Sequence, residues 1–164
     1  MGKLLTKEEA ENAWVTKTMS GLIVLPADSS IARRSEVTVR HMLNRAKSAC
    51  IQCSFCSQLC PRALLGHPLK PHRIMRKLAS CHDITEILDD SDIRNAALCC
   101  ECGICEIFAC PMGLQPRRIN GILKGELAKA GLRYQRPEGE WKADPDRNMR
   151  KAPTGRVASR AGVA

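Results

Sequence analysis

Aromatic residues are scarce: Trp14, Phe55, Phe108, Tyr134 and Trp141 are the only five in 164 residues. That is thin filling for a core, so a non-protein group is expected to help occupy the centre. No apolar run approaches the roughly 20 residues that cross a bilayer, which excludes a spanning helix. Residues 1–14 are charged and carry no apolar leader core, so a cytoplasmic location is expected. None of the eleven glycines falls in a G-x-G-x-x-G loop, so no dinucleotide cradle is legible. Acidic residues are also outnumbered, 17 against 26 Lys and Arg, for a formal charge of +9. Such an excess suits a nucleic-acid binder, but the basic residues are scattered and no aromatics interleave with them.

What the chain does have is ten cysteines. At about 6% they fall below the density of small secreted disulfide scaffolds, and outside an oxidising compartment metal ligation is the better use of them. Cys50, Cys53, Cys56 and Cys60 precede Pro61 in the spacing C-x2-C-x2-C-x3-C-P, the run described for bacterial ferredoxins. Cys99, Cys102, Cys105 and Cys110 precede Pro111 in the same form, with four residues before the last cysteine. Three thiols on one tight loop can reach three corners of a cubane. The fourth, starting a helix behind a proline, reaches the other cluster more easily. The expected ligand sets are therefore Cys50, Cys53, Cys56 and Cys110 for one [4Fe-4S] cluster, and Cys99, Cys102, Cys105 and Cys60 for the second. Zinc is the competing reading, as a stabilised basic module for nucleic acid, but two zinc sites favour paired C-x2-C hooks over triple runs. Eight thiolates around two 2+ cores would bring the charge from +9 to about +5. Cys81 and Cys100 are left over and are expected to be packed residues.

Both runs lead into the same sequel. Cys60, Pro61 and Leu64 are followed by Pro71, Arg73, Ile74 and Leu78. Cys110, Pro111 and Leu114 are followed by Pro116, Arg118, Ile119 and Leu123. The repeat predicts two loop-plus-helix units related by a pseudo-twofold. Arg73 and Arg118 are expected either as solvated helix charge or as an offset to cluster charge. Phe55 and Phe108 are expected to shield the clusters from water. The four histidines show no mutual ligand spacing.

Along the chain, Val15, Thr16 and the run Leu22 to Leu25 predict two short strands ended by Pro26. Helical spacing begins after Ser35, a candidate N-cap, with Val39, Met42, Leu43 and Ala46. Further helices are expected after Pro71, around Ile84 to Leu88, from a Ser91 cap toward Leu98, and from Pro116 to a stop at Gly131. The expectation is a mainly α fold: an α-helical ferredoxin-like domain over 35–134, an N-terminal segment 1–34 with short strands, and an irregular basic tail or linker over 135–164.

Cys50 to Pro61, with Leu64 to His67 and Pro71 to Arg76, resembles the cobalamin reductases of propanediol-utilisation microcompartments. Cys99 to Glu106 and Cys110 to Asn120 match the same family, including the four-residue gap. More distantly the chain is similar to the C subunit of the Rnf electron-transport complex. The resemblance implies electron transfer from NADH through flavin and two [4Fe-4S] clusters to a corrinoid, in the cytoplasm or a microcompartment lumen. Family members carry an NADH- and flavin-binding region upstream and a further domain downstream. This chain is expected to be the central module, with redox partners or the flavin/NADH-binding portion supplied elsewhere, and no NADH oxidation of its own.

Overall fold

In the computed structural model, residues 5, 7–17, 19, 21–136 and 138–162 are described. Among them the regular structure is helical throughout. Helix α1 covers Lys7–Glu11, α2 Ser30–Ser35 and α3 Val39–Ala49. Two single turns, α4 (Phe55–Gln58) and α5 (Pro61–Leu64), carry the chain out of the first cysteine run. Then come α6 (Pro71–Ser80), a 3-10 turn at Ile84–Ile87, α7 (Ser91–Arg94) and a 3-10 turn at Asn95–Leu98. A π-helical turn spans Cys105–Ala109, followed by α8 (Pro116–Lys129), a 3-10 turn at Pro145–Asn148 and α9 (Thr154–Ala161).

Local chemistry sets the boundaries. Proline opens α5, α6 and α8, where its missing N–H has no partner to lose. Thr38 caps α3 by accepting from the His41 amide at 3.2 Å; Ser35, the expected cap, lies in α2 instead. Asp90, not Ser91, caps α7, accepting from the Asp92 and Ile93 amides at 2.9 and 3.3 Å. A carboxylate one residue earlier outcompetes the hydroxyl because it accepts two amides at once. Helix α8 stops where Gly131 turns left-handed (φ 69°). There Gly131 N–H donates to the Ala128 carbonyl and Leu132 N–H to that of Leu127, a Schellman closure.

The core is aliphatic. Ala46 of α3, Leu69, Ile74, Met75 and Leu78 of or beside α6, Ile93 of α7, and Ile119, Leu123 and Leu127 of α8 bury against one another. Helices α3 and α6 pack together, and α8 lies on the Asn95–Leu98 turn. The stripes expected after Pro71 and Pro116 are the buried faces of α6 and α8, although Ile122 is only half buried.

Two expectations are corrected. No strand forms among the described residues of 14–25. Trp14, Val15 and Ile23 are 85%, 88% and 83% exposed. A strand exists through its ladder partner, and the helical body offers no edge. The C-terminal stretch, expected to be irregular, contains α9 and lies along the domain. The Asp144 amide donates to the Leu64 carbonyl at 2.9 Å, and Trp141 stacks beside His67 at 4.2 Å. Gly66 (φ 90°) makes this possible: a Cβ there would collide with the Lys142 carbonyl oxygen. Helix α9 packs on Cys105–Ala109. Its Arg160 lies 4.7 Å over the Phe108 ring and donates to the Phe108 carbonyl at 2.6 Å.

Candidate metal centres

Each cysteine run starts as a loop whose backbone enters the left-handed region twice, at matched places. In the first these are Gln52 (φ 58°) and Ser54 (φ 62°); in the second, Glu101 (φ 58°) and Gly103 (φ 82°). Gln52, Ser54 and Glu101 are the only non-glycine residues with positive φ among those described. Each costs about 1–2 kcal/mol. Strain gathered at two equivalent loops marks them as functional. The reversal at Glu101 brings its N–H to Cys99 Sγ at 3.4 Å, and after the second run the turn at Gly113 (φ 61°) precedes Leu114, whose N–H reaches Cys110 Sγ at 3.4 Å.

The two loops wall two cavities. Cys50, Cys53 and Cys56 share one with Cys110 from the second run. Cys99, Cys102 and Cys105 share the other with Cys60 from the first. The fourth thiol of each run is thus brought beside the other run's triple. The extra residue before Cys110 is absorbed by the π-turn Cys105–Ala109, where the first run has the α-turn Phe55–Gln58. A one-residue insertion in a helical turn widens it to i→i+5 bonding and leaves the register of the next segment unchanged. Among the described residues, no three His, Cys, Asp or Glu side chains converge on a point fit for one metal ion. The thiols surround a space instead.

Charge crowding in these spaces is severe. Burial first, then the neighbouring thiols Cys110, Cys50 and Cys53, push Cys56 up to about 12. Burial and Cys100 and Cys60 push Cys102 to about 11. Cys105 is driven well up by burial, by Glu106 and by Cys99, Cys60 and Cys102. Cys60 is raised chiefly by burial, against the pull of the Ala63 and Arg62 amides. Burial also raises Cys99, opposed by the Glu101 amide and by the Asn120 side chain. Thiols held this close ionise together most readily around a cation. Four soft sulfur donors around a shared space fit a cationic iron–sulfur core.

Several expected roles fall elsewhere. Cys81 is buried and donates to the Leu78 carbonyl at 3.4 Å, away from both cavities; Cys100 lines the second cavity, half buried. Neither phenyl ring lines a cavity: Phe55 is 47% exposed and Phe108 lies under Arg160. Arg73 pairs with Asp92 at 3.5 Å. Arg118 donates to the Arg34 carbonyl at 2.7 Å and to Gln115 at 3.1 Å. Sequence reasoning passed over four residues that do line the cavities. His72 and Met75 of α6 face the first; Arg117 and Asn120 of α8 face the second. The signal was in the repeat, because positions one and four after Pro71 and after Pro116 correspond.

Residues 49–115 match the family described as "4Fe-4S dicluster domain". With the two thiol-walled cavities, this marks residues 49–115 as an iron–sulfur domain for two [4Fe-4S] clusters, and it favours them over zinc. The particular likeness is to cobalamin reductase PduS. The chain is 37% identical over all its 164 residues to that of Salmonella typhimurium and 36% identical over 167 aligned residues to that of Citrobacter freundii. It spans 34% of the length of each. No solved structure matches the chain. No helix among the described residues is long and apolar enough to cross a membrane.

Proposed function

We propose that Cys50, Cys53, Cys56 and Cys110 hold one cluster and Cys99, Cys102, Cys105 and Cys60 the other, and that the protein relays single electrons within a cobalamin-reductase-type system. The observation that carries this reading is the sharing of each cavity by three thiols of one run and one of the other. A bound [4Fe-4S] cluster supplies reversible one-electron storage. The chain's own work is to ligate, to exclude water and to aim amides at sulfur. Leu69 and Pro71 close one cavity; Met75, Leu114 and Pro116 close the other. The domain proper is 35–134, with 1–34 and 135–164 as flanking segments. The donor is a flavin reduced by NADH on a separate portion or partner, and the acceptor a corrinoid, as the name of the relatives suggests. A microcompartment lumen or the cytoplasm is the proposed setting.

Anaerobically purified protein should be brown, contain about eight irons per chain and show EPR signals when reduced. Colourless protein with stoichiometric zinc would overturn the reading. Binding NADH or flavin to the isolated chain would overturn its placement as a relay without a donor site.

A further inference from the structure

The two cavities are built by a repeat, yet the repeat is broken where α6 and α8 meet them. Pro71 and Pro116 align, so His72 corresponds to Arg117 and Met75 to Asn120. Met75 and Asn120 are both almost fully buried. Met75 is an apolar thioether against the cavity of Cys50, Cys53, Cys56 and Cys110. Asn120 is a primary amide against the cavity of Cys99, Cys102, Cys105 and Cys60. Neither its nitrogen nor its oxygen has a hydrogen-bond partner. Leaving a buried amide unpaired is destabilising, whereas Met at that depth would be free of the penalty.

Side-chain charge does not separate the two sites. Apart from its thiols, the first cavity is lined by no charged side chain, and the His72 ring shares its Nδ1 with Ser57 Oγ at 2.7 Å. The second is lined by Arg62 and Arg117, but Arg117 pairs with the buried Glu106 carboxylate at 2.8 Å and the Arg62 guanidinium meets His67 Nε2 at 3.3 Å. What differs is the amide. A reduced cluster carries one more negative charge than an oxidised one, and an amide N–H beside sulfur favours the reduced state and raises the potential.

We propose that Asn120 makes the two clusters inequivalent and gives the cluster of Cys60, Cys99, Cys102 and Cys105 the higher reduction potential. Asn120 is then a tuning residue and Met75 its counterpart at the low-potential site. Electrons entering the module settle on the second cluster, and the first refills it. This rests on the ligand sets proposed for the two cavities.

The test is an EPR-monitored redox titration of the iron-loaded full chain with Asn120→Met and, reciprocally, Met75→Asn. N120M should shift the higher step downward by about tenfold in its reduction equilibrium, 59 mV for one electron, and leave the lower step in place. M75N should raise the lower step and spare the higher. N120L provides a second apolar replacement if N120M loses iron, and N120Q, which keeps the amide, should hold the wild-type potential more closely than either. Eight irons with both steps unmoved in N120M and N120L, or N120M and M75N shifting the same step, overturns the inference alone. A chain that binds no iron overturns it together with the ligand assignment.

Discussion

Replacing Cys60 asks which cavity it serves. Cys60 follows Cys56 by four residues, yet it lines the cavity of Cys99, Cys102 and Cys105. Each cavity has four thiols from the two runs, so Cys60→Ser leaves three of these in one, beside Cys100, and four in the other. Iron should fall from about eight per chain to about four; a three-iron remnant would reveal itself by EPR of the oxidised protein and counts as a lost cubane. Double variants give the decisive pattern, because residues that serve one site are non-additive. C60S/C105S removes two ligands from a single cavity and should cost no more iron than C60S. C60S/C56S strikes both cavities and should bring iron close to zero. Iron and sulfide analysis of anaerobically purified protein reads both. If C60S/C56S kept about four irons while C60S/C105S lost nearly all, the exchange of fourth ligands would be refuted.

Three further outcomes are expected. Asp90→Ala should cost about 1 kcal/mol of stability in urea unfolding through the lost cap of α7, with Lys77 of α6 losing one of its two carboxylate partners and keeping Asp92 at 3.6 Å. Burial alone would raise this carboxyl, but the hydrogen bonds from Lys77 and from the Ile93 and Asp92 amides hold it below its ordinary value. Its contribution is therefore complete above the unfolded pKa and is lost only as pH falls through the lower folded one. The D90A deficit should be equal at pH 6 and pH 8, and a difference between them would assign it to another group. Gly66→Ala puts a Cβ into the Lys142 carbonyl at a left-handed residue, a conformational cost of about 1–2 kcal/mol before the collision. Residues 135–162 should then become the first site of limited proteolysis, and unchanged cleavage would count against the strap. Cys100→Ser should leave iron at about eight per chain, since its cavity already holds four other thiols. A drop to about four would make Cys100 a ligand.

The sequence made the cysteine runs, the repeat and the long helices legible because each obeys a local rule. Cys-Pro spacing, proline at a first turn, and apolar residues at helical intervals act over a few residues. Residues 14–25 misled because Val, Ile and Leu in a row satisfy strand propensity without supplying a partner, and pairing is a non-local property. The tail misled in the opposite direction. Its composition is polar and glycine-rich, and what orders it is a bare Gly66 and a half-buried Phe108 ring well upstream in sequence. Asn120 escaped notice because nothing about an asparagine in a helical stripe announces burial. Only its alignment with Met75 shows the substitution of an amide for a thioether.

The crossing of Cys60 and Cys110 between the loops also limits how such a module can be taken apart. A chain carrying one copy of the repeat would present three sulfurs to its own hollow and aim its last one at nothing. It would regain a complete set only by pairing with a second identical molecule, each finishing the other. Fusing the copies in tandem replaces that encounter with a permanent neighbour, so assembly of either inorganic core becomes independent of how dilute the protein is.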